Sequence, residues 1–96
     1  MHKKLIEVPR ATLDIYNSLK DGINIYEFNA TECSPPEPMV NTIVCLELLK
    51  KENDILEVMF FHEPFPLYER ISQQFSHTSQ ELENGDIRVT FRKKQM

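Results

Sequence analysis

The side chains here whose chemistry goes beyond packing gather around two proline-bearing stretches. One reads Cys33-Ser34-Pro35-Pro36-Glu37-Pro38 and the other His62-Glu63-Pro64-Phe65-Pro66. A thiolate, an imidazole and carboxylates brought together can hold a soft or borderline divalent cation such as zinc or iron, and the amino end of a helix can receive an anion. The spacing matches no zinc pattern, so no metal site is assigned beyond a tentative His62, with Glu63, Glu37 or Cys33 as its neighbours. Nucleophilic hydrolysis needs a base and an oxyanion site. With 2 glycines in the chain there is no glycine-rich cradle or nucleophile elbow, so no catalytic residue is expected.

These groups need elements to position them. From Pro9 to Lys20 the recurrence of Leu13, Tyr16 and Leu19 predicts an amphipathic helix, with Pro9 suited to its first turn and Gly22 to the residue past its end. Residues 1–21 are therefore expected to be a helical extension and residues 22–96 the main domain. Ile23 to Ala30 alternates as a strand, and the prolines at 35, 36 and 38 stiffen a loop that feeds a helix from Met39 to about Lys51. That helix carries a core stripe of Met39, Ile43, Leu46 and Leu49. A second row of Val40, Val44 and Leu48 predicts cover by the amino-terminal helix or by a second copy in a homodimer.

Ile55 to Phe61 reads as a central strand, and Leu67, Ile71 and Phe75 as one helix face. Asn84-Gly85 predicts a two-residue type I′ hairpin with Leu82 opposite Ile87 and Glu81 opposite Arg88. The expected fold is an α/β two-layer sandwich of order βαβαββ, a four-stranded mixed sheet with two helices on one face plus the N-terminal helix. If the strands joined by the first crossover are parallel, the loops following them share one sheet edge. This brings Cys33, Pro36, Glu37 and Pro38 near His62 and Glu63, as a ligand-binding or partner-binding edge.

Composition narrows the partners. The 96 residues hold 15 acidic and 11 basic side chains, a net charge of -4 that repels phosphate backbones, so no nucleic acid partner is expected. The basic cluster Arg92, Lys93, Lys94 follows a strand and reads as a solvated terminus, as do His2 and His77 as solvated side chains. No run reaches membrane-spanning length and no signal-peptide core appears, and 2 cysteines make no disulfide framework. A reducing, cytoplasmic setting without a membrane partner follows.

The strings Ser34-Pro35-Pro36-Glu37-Pro38-Met39-Val40 and His62-Glu63-Pro64-Phe65-Pro66-Leu67-Tyr68 resemble an uncharacterised bacterial family related to the TusA and SirA sulfur carriers. The resemblance runs from about Phe28 to Lys93 and implies the TusA-like βαβαββ sandwich. In those carriers a Cys-Pro-x-Pro motif opens a helix whose free amides lower the thiol pKa, and the thiolate accepts a persulfide. Pro35 stands in that cysteine's place, so the family's relay has no nucleophile there. Cys33, up to about 7 Å upstream in an extended chain, is the candidate displaced carrier.

The expected function is thus a non-catalytic binding or accessory module that uses the proline-loop edge to contact a partner protein or a small ligand. No cofactor is named by any motif. The alternatives are a sulfur or redox carrier working through Cys33 and a metal-binding accessory protein working through His62.

Overall fold

A computed structural model describes residues 3–94; His2 lies outside them. The chain forms β1 (Lys4–Ile6), β2 (Ile15–Lys20), β3 (Ile23–Asn29), α1 (Glu37–Leu46), β4 (Ile55–Phe60), α2 (Phe65–Ile71), β5 (Phe75–Glu81) and β6 (Ile87–Lys93). The strands make one six-stranded sheet in the order β1-β2-β3-β4-β6-β5. Among the described strands only the β3–β4 pair is parallel. From β3 onward the order is the expected βαβαββ.

The sheet alternates as a half-covered sheet should. Phe28 sits beside Val58, and Val58 beside Val89; Leu56 sits beside Phe91, and Phe60 beside Ile87. All of these are buried, and they share a core with Val44 and Leu46 of α1 and Leu67 and Ile71 of α2. Both helices therefore lie on this face. The opposite face carries half-buried Ile25, Ile55 and Met59 among charged neighbours. No helix of the described residues is long and apolar enough to cross a membrane.

The N-terminal helix is not there, and the sheet has six strands rather than four. Pro9 instead occupies the second position of a turn closed by the Ala11 amide on the Val8 carbonyl at 3.1 Å, with Arg10 at φ 73. That is a turn in which proline presets one corner and the next residue must turn left-handed. Gly22, expected to end a helix, pairs with Asp21 as a two-residue hairpin loop between Lys20 and Ile23, both at positive φ (53 and 79). An Asp-Gly loop of this kind matches the twist of the flanking strands. The expected boundary at residue 21 thus falls inside a tight turn of one continuous sheet.

The segment between β1 and β2 lies along α1, tied to Asn41 and Glu47. Asn41, fully buried, accepts the Thr12 amide at 2.8 Å and the Leu13 amide at 3.3 Å on Oδ1. Its Nδ2 donates to Thr12 Oγ1 at 2.8 Å and to the Glu37 carbonyl at 2.9 Å. Arg10 reaches Glu47 at 2.9 Å. Val44 is buried in one cluster with Val8, Leu48 is half-buried, and Val40 remains 43% exposed. The inward row of α1 includes Asn41, Thr42 and Cys45, so the helix presents more polar groups to the core than its apolar stripe implied.

α1 is shorter than expected because its last amides tighten to the third carbonyl back, Leu48 to Cys45 at 2.9 Å and Leu49 to Leu46 at 3.2 Å. The β5–β6 register is shifted by one: Glu81 faces Ile87, and Arg88 donates to Gln80 at 2.8 Å rather than pairing with Glu81. Leu82 closes a three-residue loop with Asp86, and the Gly85 amide bonds the Leu82 carbonyl at 2.9 Å. Asn84 does not turn left-handed; its Oδ1 accepts the Asp86 amide at 3.0 Å, which leaves Gly85 alone at positive φ. Phe75, expected on the second helix, begins β5.

Candidate functional site

Because β3 and β4 run parallel, the chain leaves both strands at the same sheet edge, and the Ala30 amide extends the pairing to the Met59 carbonyl at 2.8 Å. The bend after β3 and the bend after β4 therefore stand side by side. Between them lies a pocket of about 490 Å3. One wall is Cys33, Pro35 and Pro36 with Pro38 and Met39 of α1; the other is Phe61, His62 and Glu63 with Pro64 and Pro66. Ala30, Phe60 and Leu67, all buried, form part of its lining from the core side.

Five of the six residues expected at this edge, namely Cys33, Pro36, Pro38, His62 and Glu63, line the pocket. Glu37 does not. Its carboxylate accepts the Thr12 hydroxyl at 2.6 Å and stands close enough to Cys33 to act on the thiol. Phe61, Met39 and Leu67 were legible as apolar residues. Their place on the pocket wall was not, because spacing alone assigns Met39 and Leu67 to core stripes.

The electrostatics disfavour anions. Among the described residues lining the pocket Glu63 carries the only formal charge, and Glu32 and Glu37 stand near its Cys33 corner. Burial raises the Cys33 thiol above its ordinary pKa, and the neighbouring Glu37 and Glu32 raise it further. This is opposite to the shift that activates a carrier thiolate. The opening of α1 offers little compensation, since Pro38 has no amide proton and the Glu37 amide is spent on the Ser34 carbonyl at 3.0 Å.

Cys45 is a core residue with no access to this edge, its thiol pushed up to about 12 by burial. Among the described residues no three His, Cys, Asp or Glu side chains come together as a metal-binding group. His62 is exposed and its ring packs edge-on against Phe61 at 4.4 Å.

A small polar cluster supports the second bend from behind. Tyr68 donates its hydroxyl to Glu63, and its ring lies flat against His77 at 3.5 Å between centroids. Burial first, then Glu63, raises the Tyr68 phenol well above its ordinary value. His77 is thus a packed residue at the surface rather than a freely solvated one. Its position follows from the shifted register, which sets His77 opposite Phe91 on the helix-covered face.

A second cavity of about 550 Å3 lies between the carboxyl-terminal turns of the helices. Its lining includes Glu47, Glu69, Arg70, Gln73 and Gln74, long polar side chains that lose entropy when ordered by a ligand. The proline-walled pocket has the apolar interior with few polar groups that ligand sites usually have. No protein-family model, curated protein or solved structure matches the chain.

Proposed function

We propose that this chain is a non-catalytic binding or accessory module, built on a TusA-like scaffold and working in the cytoplasm, whose ligand or partner enters the pocket between the two proline bends. One observation carries the reading: an apolar pocket of about 490 Å3 built jointly by the loops after two adjacent parallel strands. That volume falls in the range of small-ligand sites, and the edge is where open α/β sheets place ligands. The proline walls hold their shape without a ligand, which lowers the ordering cost of binding. The raised Cys33 thiol favours a binding role over a transfer role.

The test is an apolar fragment panel followed by amide NMR on the full chain. The reading expects shift changes concentrated at Cys33, Ser34, Met39 and Glu63, and their loss in Ser34→Trp, which fills the pocket mouth from an exposed position. Fragment binding confined to the sheet's open face, or unaffected by that substitution, contradicts it.

A further inference from the structure

The apolar surface at this edge extends past the cavity. The large hydrophobic residues exposed among those described are Leu5 of β1, Leu19 of β2 and Val40 of α1, and in the second proline stretch Phe61 and Phe65. Phe61 lines the pocket and is 61% exposed; Phe65, 67% exposed, lies in the chain between Pro64 and Pro66, which both line it. A small ligand buried in the cavity leaves Phe65 and the outer part of Phe61 in water. A longer occupant covers them, and aromatic residues around a pocket are what an anchor side chain of a protein partner meets.

Charge narrows the occupant. Glu63 lies in the pocket, and Glu32 and Glu37 are close enough to the Cys33 corner to disfavour a thiolate there. A cation beside the anchor is attracted by this rim, while an acidic segment or an anionic surface is repelled. We propose that the pocket receives a peptide segment of a partner protein, with a bulky apolar side chain seated between the proline walls and a flanking Lys or Arg facing Glu63 and Glu32. This rests on the pocket being the binding site and adds the chemical class of what binds there.

The probe is an array of short random peptides exposed to the full chain. The expected hits are enriched in a bulky apolar residue flanked by Lys or Arg. Binding of those hits falls by about tenfold when Glu32→Gln and Glu63→Gln are combined, and falls with added salt. Glu32→Gln alone changes an exposed side chain and weakens binding in the same direction should the double variant fold poorly. Hits without basic enrichment, or binding indifferent to both substitutions, overturn the peptide assignment. If apolar fragments still bind in a manner blocked by Ser34→Trp, the pocket reading survives that failure. Basic hits that bind equally well to Ser34→Trp overturn both.

Discussion

Asn41 and Thr12 exchange hydrogen bonds in both directions, the Thr12 amide to Asn41 Oδ1 and Asn41 Nδ2 to the Thr12 hydroxyl, each at 2.8 Å. The pair ties the segment between β1 and β2 to the helix that opens at the pocket, and Asn41 also holds the Leu13 amide and the Glu37 carbonyl. Replacing Asn41 with alanine leaves several of these groups without a partner. At roughly 1 kcal/mol for each bond lost the total is about 4 kcal/mol, which lowers Tm by roughly 20 °C in a domain of this size. Thermal unfolding of Asn41→Ala beside Thr12→Val measures it, and the threonine variant, which keeps its backbone amide, loses less.

Arg10 at φ 73 holds a left-handed conformation that costs a side chain about 1 kcal/mol and glycine almost nothing. Its ion pair with Glu47 is largely exposed and worth well under about 1 kcal/mol. Arg10→Gly is therefore expected to be more stable than Arg10→Ala by about 1 kcal/mol, since both lose the pair and only one relieves the backbone. Urea midpoints of the two variants settle the comparison.

Arg10 also marks where reading the sequence stopped short. From Ile23 onward, strand alternation and the proline stops fixed the order of elements, and the parallel β3–β4 pair put the two bends together as expected. Before it, Leu13, Tyr16 and Leu19 imitate a helical stripe, whereas in β2 it is Ile15 that is buried and Leu19 is 60% exposed. Pro9 and Gly22 fit turns as well as helix ends, and Asp21-Gly22 was itself a hairpin signal. At the other hairpin the local competition between Asn84's side chain and its backbone moved the register by one, which no alternation pattern predicts. Proline spacing marked the pocket's walls. Its apolar lining came from long-range packing of Met39 and Leu67, which periodicity assigns only to a core.

The two thiols are expected to differ from a free cysteine in the same direction. Because burial and Glu37 raise the Cys33 pKa, less thiolate is present near neutral pH and alkylation by iodoacetamide runs slower than in an unstructured peptide. Glu37→Gln removes a nearby negative charge and speeds it. Cys45, fully buried, is modified only as the chain unfolds. Mass spectrometry of the modified sites over time separates the two.

Tyr26 and Tyr68 have phenols raised above the ordinary value of 10.0, in both cases first by burial. The unfolded chain therefore releases these protons at lower pH than the folded one, so the associated stability is complete below pH 10.0 and declines as pH climbs past it. Urea midpoints measured across that range should fall, and Tyr68→Phe should fall less steeply.

Methionine methyls offer the most direct test of the pocket, since Met39 lines it while Met59 is on the opposite face of the sheet. In the chain labelled at methionine methyl carbons, titration with a pocket-binding fragment or an array-selected peptide should move the Met39 signal and leave that of Met59 in place. Saturable movement of Met59 with Met39 unmoved would contradict binding between the two proline bends.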